Sequence, residues 1–494
     1  MSDVEEEQKP GFAAPPAAVV ILAAGEGTRM KSARLPKVLH GFAGRSLLGH
    51  ALAAAEPLRA GRTVVVVGHR RDEVTAHLGE VAPAATTVVQ AQQNGTGHAV
   101  RIALESLPAD LSGVVVVLPG DAPLLTAESL QELLLVHGDA AATMLTAIAA
   151  DPTGYGRVIR GNDGSVVDVV EHKDASDEQR RVPEIAAGVY AFDAAVLRDA
   201  LGRLSTDNAQ GEEYLPDVIG ICVREGRPVR ASVAPEDQAA GVNDRVQLAA
   251  AARAYNDRLL DAHMRRGVTI LDPASTWIDA GVVVEPDVTL LPGVELRGAT
   301  VVAAGAEIGP QTTLSDTVVG EDSRLERVVA NQAKIGARAT IGPFAYLRPG
   351  TILSDDVHIG TYVEIKGSDI GDGSKVPHLT YVGDASIGEH TNIGAATVFV
   401  NYDGVAKHRS TVGNHARTGA DNMFVAPVHI GDGAYTAAGS VITEDVPAGA
   451  LGIGRARQTN VEGWVQKRRP GSAAAAAADD GARPESTSDS EGQP

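Results

Sequence analysis

A chain of 494 residues exceeds the size at which single cores stop growing, about 250–300 residues, so it divides into at least two domains. Its formal charge of −20 argues against a nucleic-acid partner, because such binding rests on clustered Lys and Arg neutralising phosphates. The single cysteine, Cys222 in the apolar run VIGICV, can form no intramolecular disulfide and reads as a small buried hydrophobe in a reducing compartment.

The opening MSDVEEEQKPGF is acidic where a secretory signal needs positive charge, and Pro15 and Pro16 break the apolar stretch after it. Residues 1–16 therefore read as a disordered tail. No segment reaches the roughly 20 uninterrupted apolar residues of a membrane helix, so no membrane insertion and a cytoplasmic location are expected. From residue 17 to 243, the β-branched runs AVVILA, RTVVVVG and GVVVVLPGD alternate with the helical segments GHAVRIALESL and AESLQELLLVH. Apolar runs of this length, bounded by Gly and Pro, suit strands of a parallel sheet buried on both faces, and so an α/β domain. Residues 244–267 read as a linker helix stopped by Gly267.

After Val268 the pattern changes. An aliphatic residue followed by Gly recurs at Ile308, Ile335, Ile341, Ile359, Ile370, Ile387, Ile393, Val412 and Ile430, and several of the spacings are multiples of six. A hexapeptide period predicts a parallel β-helix over 268–468, each inward aliphatic stacking on its counterpart one coil away. The period slips between 359 and 370 and between 393 and 412, where loops or bends are expected. An aromatic content of 3% suits such an aliphatic core. Residues 469–494 are small, polar and of low complexity, and read as a disordered tail.

The first strand runs into LAAGEGTRM, where Gly25 and Gly27 let backbone N–H groups approach a phosphate. The loop lacks both the Gly-Lys-Ser/Thr of a Walker motif and the third glycine of a dinucleotide fingerprint, so a plain strand-to-helix turn stays open as an alternative. Arg29 and Lys37 add two cations within one short segment. Asp121, ending GVVVVLPGD, stands where an α/β sheet presents a metal ligand, or else is a turn residue in PGDAP. Asn243 taken alone reads as the cap of the following helix, and Glu171 as a solvated charge at a strand end. In the β-helix, His378 is the best general-base candidate because histidine titrates near neutrality, the alternative being an exposed turn histidine.

LAAGEGTRMKSARLPKVLH resembles the opening of the sugar-nucleotide pyrophosphorylases. The motifs QAQQNGTGHAV, LPGDAPLL, PTGYGRVIR, VEHKDA, NAQGEEYLPD and GVNDR resemble, in the same order, the bifunctional N-acetylglucosamine-1-phosphate uridyltransferase/glucosamine-1-phosphate N-acetyltransferase family. The likeness spans residues 17–468. It implies a Rossmann-like nucleotidyltransferase domain followed by a left-handed parallel β-helix of hexapeptide repeats. It assigns Asp121 and Asn243 to Mg²⁺, and Leu22, Ala23, Ala24 and Gly25 to the uridine and phosphate pocket, with Arg29 and Lys37 on the phosphates. Gln90, Gly95 and Thr96 would read uracil, while Gly156 and Glu171 hold the sugar. In the β-helix it gives Arg348, Lys366, Tyr381, Asn392 and Lys407 to glucosamine-1-phosphate beside the base His378. Asn401 and Tyr402 would place the acetyl group, and Ala395, Ala420, Ala438 and Arg455 would line the acetyl-CoA path.

Three positions depart from the family pattern: Pro119 before Gly120, Ala186 where relatives carry Asn, and Ala420 where they commonly carry Ser. The implied function is acetylation of glucosamine-1-phosphate by acetyl-CoA, then transfer of UMP from UTP to N-acetylglucosamine-1-phosphate, in a homotrimer serving the bacterial cell envelope. One competing reading is another sugar-nucleotide pyrophosphorylase with a non-catalytic β-helix used for assembly, against which KVPHLTY and NYDGVAK argue. Another is a non-catalytic subunit descended from a pyrophosphorylase, against which Gly25, Arg29, Lys37 and Asp121 argue.

Overall fold

The computed structural model describes residues 13–481; the first twelve residues of the expected N-terminal tail, 1–12, and the chain end from 482 lie outside the described residues. The N-terminal half is built on a nine-stranded sheet. Its strands, with a small separate hairpin β2–β3, are β1 (Ala18–Ala23), β2 (Gly41–Phe42), β3 (Arg45–Ser46), β4 (Thr63–Val67), β5 (Thr86–Val89), β6 (Val114–Pro119), β7 (Ala142–Ile148), β8 (Arg157–Arg160), β9 (Val166–Val170), β10 (Glu184–Asp193) and β11 (Val229–Val233). The strand order is β11-β7-β10-β6-β1-β4-β5, with β8 and β9 joined through β10. The β6-β1-β4-β5 block is parallel.

The sheet as a whole is mixed, which corrects the parallel sheet expected from the apolar runs. β10 lies antiparallel to both β6 and β7, and β8 to β9. The physical reason is the connection. β10 is entered from the β8–β9 hairpin and a single 3-10 turn at Gln179–Arg181, so no helical crossover forces it parallel.

Helices α1 (Leu47–Ala55), α2 (Arg71–Val81) and α4 (Ala127–His137) cover one face of the sheet, and α3 (Thr96–Glu105), α5 (Ala194–Leu201) and α6 (Asp217–Arg224) the other. Cys222 is buried in α6. The connector α7 (Arg245–Arg265) is capped by Asp244, whose Oδ1 accepts from the N–H groups of Val246 and Gln247, each at 2.9 Å. The cap reading of Asn243 is thereby corrected. The adjacent Asp takes that role and leaves the Asn243 side chain free to face elsewhere. The buried Asn256 of α7 accepts from Ile278 N–H and donates to the Thr276 carbonyl, fastening the helix to the next half.

From Thr269 the chain winds through three parallel sheets, one per face of a left-handed β-helix. The inward residues form three columns, running through Leu290, Ile308, Leu325, Ile341, Ile359 and Val376 on one face, from Leu296 to Phe424 on the second, and from Val284 to Ile430 on the third. Register locks each coil on the last, as in Thr340↔His358↔Lys375. The first slip in the period is a short step between Ile365 and Ile370, which sit on adjacent faces. The second is an excursion after Val400, bridged by Tyr402↔Lys407, before Val412 rejoins the stack.

Beyond the last coil lie α8 (Trp464–Arg468) and α9 (Ala473–Gly481), so part of the segment expected to be disordered is helical. An alanine run has the strongest helix propensity of any residue type, and low complexity alone does not reveal it. Among the described residues no helix is long and apolar enough to cross a membrane.

Candidate functional sites

The first cluster forms where β1 and β6 end. Gly25 is exposed with open space around it, while Gly27 takes φ +64 and leaves no room for a side chain, since a Cβ there would strike Lys37 Cβ at 2.3 Å. That close packing sets the turn bearing Lys37 against the loop bearing Arg29. Both cations donate to one atom: Arg29 Nη2 and Lys37 Nζ each lie 2.8 Å from Asn243 Oδ1. Lys37 also pairs with Asp121. Val242 N–H donates to the Asp121 carbonyl at 2.8 Å, which fixes the Asn243 segment against the end of β6. Four residues separated by up to 214 positions thus share one point.

The donor chemistry fits a divalent cation. A carboxylate and an amide oxygen converge on one positive charge, and Mg²⁺ takes one or two protein oxygens alongside substrate phosphates. Among the described residues no group of three or more His, Cys, Asp or Glu could hold a metal.

Beside this cluster Gln90, buried between β5 and α3, donates to the Gly95 carbonyl at 3.0 Å. Gly95 has φ +106, and a Cβ there would meet the Glu213 carbonyl at 2.4 Å, so the backbone approach requires glycine. Thr96 Oγ1 accepts from Leu215 N–H at 3.0 Å. On the other side, the Ala186 N–H donates to the Gly156 carbonyl at 3.0 Å, and Gly156 faces Glu171 Oε1. Burial raises the Glu171 carboxyl above its usual range, and Asp217 and Asp174 add to the effect. Glu171 is half-buried at the end of β9 rather than fully solvated. Ala186 sits where the pairing of β10 with β7 shifts register.

The second cluster lies on the β-helix. Arg348 Nη1 donates to Glu364 Oε1 at 2.9 Å, and Tyr381 stands in register beside Glu364. Lys366 Nζ donates to both oxygens of Asp384, at 2.9 and 3.0 Å, and Asn401 Nδ2 donates to Asp384 at 2.6 Å. Burial opposes ionisation of Asp384, but the bonds from Lys366 and Asn401 outweigh it and hold the carboxyl below its usual range. The same contact holds Lys366 charged, and Lys407 adjoins the pair. His378 ends a strand three residues before Tyr381; its ring is exposed and makes no hydrogen bond among the described residues. Asn392 bridges Lys375 and Arg417 on neighbouring coils. Small residues then stack along one edge: Asp421 N–H donates to the Ala395 carbonyl and Gly439 N–H to the Ala420 carbonyl, while Gly439, next to Ala438, faces Arg455 Cδ.

A family model described as a MobA-like NTP transferase domain matches residues 19–204. The bifunctional protein GlmU of Streptomyces avermitilis is 60% identical over 468 residues, covering 94% of this chain and 97% of that protein. The Streptomyces coelicolor and Corynebacterium jeikeium GlmU proteins are 59% and 54% identical, over 94% of this chain and 97% and 96% of theirs. The chain belongs to the GlmU family. Among solved structures, the inositol-1-phosphate CTP transferase from T. maritima aligns over 48% of this chain and 93% of its own, with 17% identity and a TM-score of 0.39.

For a GlmU chain the sequence located most of both clusters, but several participants escaped it. Arg70, at the start of α2, donates to the carbonyls of Ala33 (3.3 Å) and Arg34 (2.8 Å) while held by Glu73, so it pins the segment between Arg29 and Lys37. Gln93 Nε2 donates to the Ala24 carbonyl at 2.7 Å. Asp384 went unnoticed although it lies in KVPHLTYVGDA. A lysine destined for partial burial calls for a carboxylate, and that need was the available signal.

Proposed function

We infer that this chain makes UDP-N-acetylglucosamine through two reactions at two separate sites. In the β-helix, His378 takes a proton from the amine of glucosamine-1-phosphate as the nitrogen attacks the thioester carbon of acetyl-CoA; the carbon–sulfur bond breaks and the thiol leaves with a proton. Arg348, Lys366 and Lys407 hold the sugar phosphate, Tyr381 and Asn392 its ring, and Asn401 and Tyr402 the acetyl group. Ala395, Ala420, Ala438 and Arg455 line the path of the acyl carrier. Ala420 offers no hydroxyl to that path, which slows this step relative to a serine-bearing chain.

At the sheet end, a phosphate oxygen of N-acetylglucosamine-1-phosphate attacks the α-phosphorus of UTP, and the bond to the β-phosphate breaks to release pyrophosphate. Arg29 and Lys37 take up the charge that develops, so positioning and neutralisation do the work. Leu22 to Gly25 cradle the nucleotide, Gln90, Gly95 and Thr96 read uracil, and Gly156 and Glu171 orient the sugar. When bound, Mg²⁺ held by Asp121 and Asn243 supplies further charge neutralisation on the triphosphate. We place the protein in the cytoplasm as a homotrimer whose acetyl-transfer sites lie between subunits, with a product used in the cell envelope.

The observation that carries the pyrophosphate-releasing reaction is the meeting of Arg29 and Lys37 on Asn243, with Lys37 also on Asp121. The test supplies acetyl-CoA with glucosamine-1-phosphate, and UTP with N-acetylglucosamine-1-phosphate and Mg²⁺, in separate vessels, following free thiol and pyrophosphate. Both products are expected. Pyrophosphate without thiol would favour a pyrophosphorylase with a non-catalytic β-helix, and neither product would end the enzymatic reading.

A further inference from the structure

A groove of about 740 Å³ opens between α1, α2 and the turn leading into β4, apart from both clusters described above. That volume lies within the about 300–1,000 Å³ typical of small-molecule sites. Three arginines line it from two segments: Arg45 on β3, and Arg59 and Arg62 in the connection between α1 and β4. Among the described residues none of these guanidinium groups forms an ion pair or a hydrogen bond. Several other arginines in this half meet carboxylates, as in Arg70–Glu73, Arg101–Glu213 and Arg160–Glu184. A chain of net charge −20 thus gathers three unpaired cations around one concavity, against a single lining carboxylate, Glu56.

The rest of the lining mixes Ser46, Thr63 and His77 with apolar side chains, chiefly from α1 and from the end of α2 through Ala85, of which Leu52 and Val81 are the largest. Guanidinium groups suit phosphate through paired, charge-assisted hydrogen bonds. We propose that this groove binds a phosphorylated small molecule, its phosphates on Arg45, Arg59 and Arg62 and its less polar body on the Leu52–Val81 floor. The location gives such a ligand a route to both halves. Arg45 belongs to the β2–β3 hairpin, which directly follows the turn carrying Lys37. At the tip of that hairpin the Ala43 carbonyl accepts from Ala280 N–H at 3.0 Å, and Gly44 packs on Asp279, both in the first coil of the β-helix.

The test is hydrogen–deuterium exchange on the full chain with millimolar ADP as probe, read on peptides covering residues 44–63 and 77–85. Protection there is expected in the parent and in Lys37→Ala, whose substitution lies in the other phosphate site. It should require about tenfold or more ADP in Arg59→Ala/Arg62→Ala, since each charge-assisted bond contributes about 1.5–3 kcal/mol and about 1.4 kcal/mol is tenfold. Arg59→Lys/Arg62→Lys keeps the charge and should fall between the two. Pyrophosphate release without probe should match the parent in both arginine variants, which establishes that they fold. Absence of protection in the parent, or equal protection in Arg59→Ala/Arg62→Ala, would overturn the proposal.

Discussion

Replacing Gly95 by Ala tests how closely the backbone beside Gln90 and Glu213 is set. The new Cβ would lie 2.4 Å from the Glu213 carbonyl oxygen and 2.8 Å from its nitrogen, both backbone atoms that cannot swing aside. Ordinary contact begins at 3.4 Å, so one strand of chain must move by about 1 Å. The φ of +106 adds strain of about 1–3 kcal/mol for any residue with a side chain. The movement is transmitted, because Gln90 donates to the Gly95 carbonyl and Glu213 accepts from Gly97. Misplacement by about 1 Å typically lowers catalysis about 100-fold, so kcat/KM for UTP should fall by about that factor. Steady-state pyrophosphate release at varied UTP measures it, and thiol release from acetyl-CoA serves as the internal control. A variant with parental kcat/KM for UTP would refute the steric argument, and loss of thiol release as well would mean that the damage is global.

Three further outcomes follow from other residues. Arg70→Ala frees the Ala33–Arg34 backbone and should lower kcat/KM for UTP about tenfold in the pyrophosphate assay while leaving acetyl transfer at the parental rate, the two lost bonds being charge-assisted. On the proposed placement of the sugar, Ala186→Asn should add one hydrogen bond to it, and titration with N-acetylglucosamine-1-phosphate should show binding tightened roughly 2- to 12-fold, the equivalent of about 0.5–1.5 kcal/mol; weaker binding would mean that the buried β10 position cannot accept the larger side chain. Burial, with Asp168 and Asp174 near, raises the Asp217 carboxyl from 3.8 to about 6, so the folded chain holds more protons there than the unfolded chain and stability falls as pH rises through that window. Asp217→Asn should remove that slope, its Tm gaining on the parent between pH 4 and 6 by the equivalent of about 1 kcal/mol after allowance for solvent screening; a Tm difference constant with pH would contradict the assignment.

The division into a sheet domain and a β-helix was legible because it rests on periodicity. Ile335, Ile341 and Ile359 announce the coil directly, and even the slip between Ile393 and Val412 marked the excursion bearing Asn401, Tyr402 and Lys407. The direction of β10 was not legible. EIAAGVYAFD is as apolar as a parallel strand, and its orientation depends on the hairpin before it. Asn243 shows a similar limit: Asn and Asp both cap helices, and only the fold reveals that Asp244 does so while Asn243 turns toward Lys37. Arg70 and Asp384 lay hidden for a further reason. Their roles consist of contacts with segments distant in sequence, and a solvated surface charge is the default reading of an isolated Arg or Asp.

The central claim is that one chain carries two chemically independent sites, one organised by Lys37 and the other by His378. The most direct measurement follows free thiol and pyrophosphate in parallel for His378→Ala and Lys37→Ala. His378→Ala should lose thiol release and keep parental pyrophosphate formation, with Lys37→Ala giving the reverse. Loss of both products in either variant, with the fold intact by circular dichroism, would contradict the account.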